Sequence, residues 1–346
     1  MKRTLFFLSI LALLFSAAFL HFKYRQTALL MIDGFTQGTT YHIIVKQPLR
    51  MILSRASAIR KEEVDSLLHQ FDLSLSTYVP ESVISRINRN DSSVRTDKLF
   101  NTCFEASRRI YEETCGAFDI TVGPLVDAWG FGPDGPVPVD STVIDSLLQY
   151  VGMDKVALKV NRVIKKDLHI LLDVNAIAQG FSVDVMSDFI EKKGFRNYLV
   201  EIGGELKAHG HKWWGKPWKI GIDKPVDDNN LPGRNLQIKL KLTNHALATS
   251  GNYRKFFIKN GVKYGHEIDP HTGYPARNRL LSVTVLADKC MMADGYATAF
   301  MVMGMKKSKK FVESRKDLEA YFIYSDNDGS FKTWSSKRFK KLIVKK

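Results

Sequence analysis

Cysteine is scarce in this chain, and the glycine-rich signatures of common nucleotide cradles are missing. Three cysteines in 346 residues (Cys103, Cys115 and Cys290) show no metal-binding spacing, which argues against a zinc finger or ribbon. Their odd number leaves at least one thiol free. Buried, inert thiols are the expectation, with a Cys103–Cys115 bridge the alternative in an oxidising compartment. The IGGE stretch at 202–205 is not GxGxxG, and GxxxxGK[ST] does not occur, so neither a Rossmann nor a P-loop site is written here. No internal repeat or low-complexity linker divides the chain. Net charge is also missing from the middle. The net charge is +15, but residues 1–60 hold eight Lys/Arg against Asp33 alone, and residues 305–346 hold thirteen against five acids. The central 61–304 is therefore neutral, which excludes the internal basic cluster of a nucleic-acid binder. The basic ends read as solvated tails, or as tails facing an anionic membrane surface.

What is present begins at the N-terminus. Lys2 and Arg3 precede an uncharged run from Thr4 to Phe22, followed by Lys23 and Arg25. That pattern predicts export, with residues 1–25 either a signal peptide cleaved near Ser16-Ala17-Ala18 or an uncleaved membrane anchor. No Cys follows the run, which argues against a lipid-anchored lipoprotein.

Downstream, hydrophobic periodicity predicts a strand at 39–45, an amphipathic helix at 57–72, a turn around Pro80 leading to a short helix, and a helix at about 97–115 stopped by Gly116 as its C′ residue. Residues 116–133 (GAFDITVGPLVDAWGFGP) read as a loop, and 141–151 as a helix. HILLDV (169–174) reads as a buried strand feeding a helix that ends at Gly194. Further strands are expected at 197–202, in KPWKIGID, and near 235–242, 246–249 and 280–287. A polar turn is expected at 227–235. The closing AYFIYSD-NDG-SFKTW reads as a hairpin. Strands and helices mix without strict alternation, which favours an α+β fold: a single compact unit with mixed sheets and interleaved helices, or two interlocked lobes.

The chemistry concentrates in a few segments. In MMADGYATAFMVMG (291–304), Asp294 and Thr298 stand four apart on one helix face, amid apolar and small residues. A carboxylate and a hydroxyl so placed suit a hard cation such as Mg²⁺. A self-satisfied core Asp beside a back-bonding Thr is the plain alternative. In DVNAIAQG, Asp173 precedes a helix opening with small residues. It either shapes a phosphate site at the helix N-terminus or simply caps the helix. In GAFD, Phe118 offers a stacking face and Asp119 an acceptor. Thr249-Ser250-Gly251, with Arg254 nearby, can hold phosphate oxygens or form an ordinary turn. His266 lies beside an Asp269-Pro270 and Thr272-Gly273 turn and is the candidate general base, with Asp269 as the alternative base or the group orienting His266. His209 and His211 lack a third ligand, so zinc is not expected there.

Taken together, GTTYHI (38–43), LSTYVPESVISRIN (75–88), GAFDITVGPLVDAWGFGP (116–133), LDVNAIAQGFSVD (172–184), YLVEIGGELKAHG (198–210), ALATSGNYRKFF (246–257), HEIDPHTGYPA (266–276) and SVTVLADKCMMADGYATAFMVMG (282–304) resemble the ApbE family of FAD:protein FMN transferases. The collinear match covers residues 33–346. The resemblance implies a T-fold-related ApbE-like unit and an exported enzyme that uses Mg²⁺, cleaves FAD, and attaches FMN by a phosphoester to a Thr or Ser of an acceptor, releasing AMP. It also implies FAD contacts from Tyr78, Ala117, Phe118, Asp119, Asp173, Gln179, His266 and Ile268. The ion would be held by the Ala176 carbonyl, Asp294 and Thr298. Two positions depart from the family. Gln37, before Gly38, stands where Met is usual, and Gln179 where Lys or Glu is common, so altered FAD contacts are expected. The implied acceptors are redox proteins of the Rnf or Na⁺-pumping quinone reductase type. An FAD pyrophosphatase and a non-catalytic periplasmic FAD-binding protein are the competing readings.

Overall fold

The computed structural model describes residues 15–16, 27–49, 51, 59–132, 139–225, 233, 235–252, 256–259 and 262–345. Of the N-terminal run, only residues 15 and 16 are among them. The 227–235 turn, apart from 233 and 235, and Arg254 lie outside them.

An eight-stranded sheet forms the frame. Its order is β1 (Thr27–Thr36), β2 (Thr39–Pro48), β5 (Tyr198–Ile202), β6 (Glu205–His209), β9 (His245–Gly251), β12 (Leu280–Ala287), β13 (Glu319–Ser325) and β14 (Phe331–Ser335), with every neighbouring pair antiparallel. Three hairpins complete the strands: β3 (Val156–Lys159) with β4 (Arg162–Lys165), β7 (Trp218–Asp223) with β8 (Leu236–Leu242), and β10 (Phe256–Lys259) with β11 (Val262–Gly265). The helices are α1 (Lys61–Leu75), α2 (Val83–Asn88), α3 (Lys98–Glu113), α4 (Gly123–Ala128), α5 (Ser141–Leu148), α6 (Asn175–Lys192), α7 (Cys290–Ser314) and α8 (Lys337–Leu342). This is the expected α+β mixture.

Alternation along the strands dictates the layering. Val283 and Val285 of β12 pack against α3, α6 and α7, while Leu286 turns to the other face with Trp218, Ile220, Leu240 and Phe339 of β7, β8 and α8. Helices therefore cover one face of the sheet, and the β7–β8 hairpin with α8 covers the other. α6 is buried on nearly all sides, including its polar Ser182, Asp184 and Ser187. It is a core helix that must answer for each polar group it carries.

Several boundaries differ from expectation, each for a local reason. The α1 helix runs 61–75 rather than 57–72. It is set by the Glu63 side chain, whose Oε2 accepts from Arg60 N–H at 3.1 Å, while Glu63 N–H donates to Arg60 O at 3.2 Å. At the end of α3 the left-handed C′ position falls to Cys115 (φ 53), and Gly116 N–H reaches back to Tyr111 O at 2.8 Å. That is a Schellman closure shifted by one residue. Residues 116–133 are not all loop, because Pro124 starts the short α4.

HILLDV is buried at Ile170, Leu172 and Val174 but is not a strand. Its backbone is satisfied by Asn88, whose Oδ1 accepts from Leu172 N–H (2.8 Å) and whose Nδ2 donates to Leu172 O (2.9 Å), and by Ile120 O, which accepts from Asp173 N–H at 2.7 Å. A side-chain amide replaces a neighbouring strand. The β3–β4 hairpin, β1, β6, β10, β11 and α8 were not anticipated. All three cysteines are free, Cys103 and Cys290 buried and Cys115 exposed, so the alternative bridge does not form.

Candidate functional site

Close contact between two core helices positions the metal candidates. A Cβ on Gly180 would meet Cys290 O at 2.5 Å and Asp294 Cβ at 2.7 Å, so only glycine lets α6 and α7 touch here. The contact is stitched by two carboxylates running in opposite directions. Asp184 of α6 accepts from Cys290 N–H (3.1 Å) and Met291 N–H (3.0 Å), capping α7 from outside its own chain segment. Asp294 of α7 accepts from Gly180 N–H through Oδ2 at 2.9 Å.

The two carboxylates differ in compensation. Asp184 has two N–H donors and Lys207 Nζ at 3.8 Å. Asp294 is 7% exposed, and among the described residues Gly180 supplies its one hydrogen bond. Burial pushes its carboxyl up to about 7, with only the Gly180 N–H pulling the other way. A buried carboxylate this poorly answered is a place where a cation is welcome. One helical turn on, Thr298 Oγ1 lies 3.1 Å from Ser250 Oγ at the end of β9. Ala176, whose carbonyl is the third candidate ligand, sits in the first turn of α6. The described residues contain no group of three or more His, Cys, Asp or Glu placed to hold a metal. An ion on this one-carboxylate set would take its other ligands from water and from substrate oxygens, as Mg²⁺ commonly does.

The sheet brings the flavin candidates to the same end. Gln37 occupies the β1–β2 turn with φ 51, and Ser182 Oγ lies 3.4 Å from its Oε1. In the neighbouring β5–β6 turn Gly203 has φ 64, and a Cβ there would strike Gln179 Nε2 at 2.7 Å. Tyr78 is 60% exposed; partial burial of its hydroxyl, and then the nearby Asp173 and Asp127 carboxylates, raise its phenol. Asp173 accepts from Asn175 N–H at 2.7 Å, so it does satisfy the helix entry, while the α6 N-cap position itself is Val174 without a side-chain bond. Thr249 and Ser250 part company: Thr249 Oγ1 pairs with Thr284 at 2.9 Å, and only Ser250 faces α7.

A second loop carries the remaining candidates. Ile268 bridges to Pro275, and Thr272 and Gly273 N–H both donate to Asp269 O. Trp129 Nε1 donates to Gly273 O at 2.8 Å, fixing the loop to α4. Ile268 is buried beside Leu125, Trp129 and Ile144. His266 is part exposed, with Phe131 edge-on at 6.1 Å and Glu267 Oε1 3.8 Å from Nδ1.

Asp269 does not orient His266. Its Oδ1 takes His271 Nδ1 at 3.0 Å, and His271 Nε2 meets Cys115 O at 2.9 Å. His271 thus clamps the 266–275 loop to the segment ahead of Ala117 and Phe118, a role not read from the sequence although the Asp-Pro-His spacing was visible. The Asp269 carboxylate is spent on that clamp. Asp119 is also used internally, accepting Thr121 N–H at 2.7 Å and Thr121 Oγ1 at 2.6 Å, with burial raising its carboxyl. Neither His266 nor Asp269 bonds to Asp294 or Thr298.

Comparison with known proteins gives the family and the fold. The ApbE family profile matches residues 37–322. An FAD:protein FMN transferase of Haemophilus influenzae is 37% identical over 332 residues, covering 93% of this chain and 94% of its own. One from Escherichia coli is 34% identical, covering 93% and 91%. Among solved structures, the flavin transferase ApbE from Vibrio cholerae superposes with a TM-score of 0.79 at 35% identity, over 92% of this chain and all of the other. The Pseudomonas stutzeri flavinyl transferase ApbE gives 0.79 at 32% identity, over 92% and 97%.

Proposed function

The chain belongs to the ApbE family, and we infer from that premise that it is an FAD:protein FMN transferase. The observation that carries the reading is the under-compensated Asp294 carboxylate. It lies one turn from Thr298 and against the opening turns of α6, in a chain similar to flavin transferases over more than nine-tenths of its length.

Asp294, Thr298 and the Ala176 carbonyl would hold Mg²⁺, which when bound neutralises pyrophosphate charge. The protein does the rest by positioning. Gly38 and Gly203 place glycines in the turns at the sheet end, and the exposed Tyr78 offers a ring to a flavin. The Phe118 ring, expected as a stacking face, is instead packed in the core, as is Ile268, so these two shape the wall from behind. Gln37 and Gln179 contribute neutral amides to FAD. An acceptor Thr or Ser hydroxyl attacks the flavin-side phosphorus. A new P–O bond forms, the bond to the bridging oxygen breaks, and AMP departs with that oxygen. His266 takes the hydroxyl proton. Asp269, occupied by His271, serves as a loop buttress.

The reading extends to place. Residues 1–25 export the chain and tether or release it at the periplasmic face of the inner membrane. The acceptor is a membrane-associated redox protein of the Rnf or Na⁺-pumping quinone reductase type. An FAD pyrophosphatase would use the same site with water as acceptor. The discriminating experiment is in-gel flavin fluorescence of a co-expressed acceptor. A fluorescent acceptor band with the wild type and none with Asp294→Ala supports the reading. An equally fluorescent band with Asp294→Ala refutes the ion assignment, and no band with the wild type refutes transfer to that acceptor.

A further inference from the structure

The sheet has two functionally different ends. At one end stand the β1–β2 turn with Gln37, the β5–β6 turn with Gly203, and the end of β9 with Ser250, which together frame the candidate site. At the other end β1 begins at Thr27, paired with Pro48, and β5 begins at Tyr198, opposite His209. β2 spans ten residues, so the two ends are about 30 Å apart.

The far end carries an unusual loop. Residues 210–216 hold Trp213 and Trp214 between Lys212 and Lys216. Trp214 is 90% exposed, the most exposed large apolar side chain among the described residues, and it sits at φ 51. It is not a floppy tip. Gly210 N–H donates to Asn244 Oδ1 and His211 N–H to Asn197 Oδ1, both at 2.8 Å, and Lys212 N–H donates to Lys216 O at 2.8 Å. Lys216 Nζ lies 5.7 Å from the Trp214 ring, and Lys46 Nζ lies 5.8 Å from the Trp213 ring. An indole held out in water, in a backbone conformation that disfavours it, is a costly arrangement for a solvent-facing turn, which the exposed lysine contact offsets only in part.

The chain itself indicates what meets it. Lys46 pairs with Leu29, two residues into the strand from Thr27. Thr27 is five residues from Phe22, the end of the uncharged run, a reach of at most about 17 Å. Lys23 and Arg25 fall in that interval. The indole loop, its lysines and the point where the apolar run joins the domain therefore share one end of the molecule.

We propose that this end is a membrane foot: Trp214 seats in the headgroup layer of an anionic bilayer, flanked by Lys212, Lys216 and Lys46. Tryptophan favours that layer because its ring is apolar while its N–H stays wet, and basic residues are drawn to anionic lipid. The foot turns the candidate site away from the bilayer, so the acceptor hydroxyl is met about one strand length, ~30 Å, above it. The proposal rests on the membrane attachment proposed above and makes it specific.

The test uses the full-length chain in nanodiscs of phosphatidylcholine, with and without phosphatidylglycerol, containing acyl-brominated lipid that quenches tryptophan on contact. The wild type is expected to show quenched, blue-shifted emission that deepens with phosphatidylglycerol. Trp214→Ser loses most of the quenching, and Lys212→Glu with Lys216→Glu loses the increment due to phosphatidylglycerol. Quenching equal in wild type and Trp214→Ser overturns the proposal. So does a chain that does not enter the nanodisc, or quenching that appears only when acceptor protein is added. FMN transfer in detergent is scored separately and stays at the wild-type level in all these variants. Its absence in the wild type counts against the transferase reading, while the quenching still decides the foot.

Discussion

Gly180 N–H and Asp294 Oδ2 lie 2.9 Å apart, one of three hydrogen bonds among the described residues that tie α6 to α7 at the candidate site. The glycine allows the contact and the carboxylate is the proposed cation ligand, and each is tested differently. Gly180→Ala places a methyl group 2.5 Å from Cys290 O and 2.7 Å from Asp294 Cβ, so α6 and α7 must separate. The expected destabilisation is about 1–3 kcal/mol by urea denaturation, with weakened Mg²⁺ binding by calorimetry. An unchanged midpoint would show that the helices are not pinned by this contact.

Asp294 gives the metal-free protein a defined pH dependence. Burial raises its carboxyl from an ordinary value near 3.8 to about 7. A folded-state value above the unfolded one means that the folded chain holds the proton more tightly. The resulting stabilisation is complete below about pH 4 and is lost as pH rises through about 7. Relative to Asp294→Asn, the metal-free wild type should therefore lose on the order of a few kcal/mol between pH 4 and pH 8. Mg²⁺ at pH 8 should restore the wild type and leave the Asn variant unmoved, as thermal denaturation would show. A parallel pH dependence in the two proteins contradicts the cation site.

His271 carries a separate prediction. Its two ring nitrogens face Asp269 Oδ1 and Cys115 O, both acceptors, so both hydrogen bonds form only when the imidazole is doubly protonated. Losing the ring nitrogens frees the 266–275 loop from the Ala117–Phe118 segment. His271→Phe should raise the KM for FAD about threefold to tenfold, the equivalent of one hydrogen bond of ~1 kcal/mol, with a smaller change in kcat. A kcat effect with KM unchanged would instead give His271 a role in the chemistry.

Asn88 is a structural counterpart. Its amide alone pairs both backbone groups of Leu172, just ahead of Asp173 and the N-terminus of α6. Asn88→Ala leaves a part-buried N–H and C=O unsatisfied and should cost about 1–3 kcal/mol, measurable by chemical denaturation. Loss of FAD affinity beyond that expected from stability would show that the segment also shapes the site.

These residues show what the sequence made legible. Asp294 and Thr298 could be read because helical spacing is a local property, and the structure sets them on one helix with Ser250 opposite Thr298. The strands expected at 39–45 and 280–287, observed at 39–48 and 280–287, could be read because apolar and β-branched runs write themselves into residue order. HILLDV misled because its apolar run records burial, whereas the choice between ladder and lone segment was made by Asn88, far away in sequence. Asp269, read as the partner of His266, misled for a similar reason, since which histidine a carboxylate meets depends on how a turn closes, and here it is His271. The reciprocal carboxylates of α6 and α7, Asp184 at one helix start and Asp294 at Gly180, are tertiary facts with no local signature.

The central claim is that FMN is moved from FAD onto a protein hydroxyl. Its most direct test incubates the enzyme with FAD, Mg²⁺ and purified acceptor, then quantifies AMP and the intact acceptor mass together. The account predicts equal molar amounts of AMP and of acceptor carrying one FMN on a Thr or Ser. AMP without a mass gain would make the protein a pyrophosphatase, and neither product would contradict catalysis altogether.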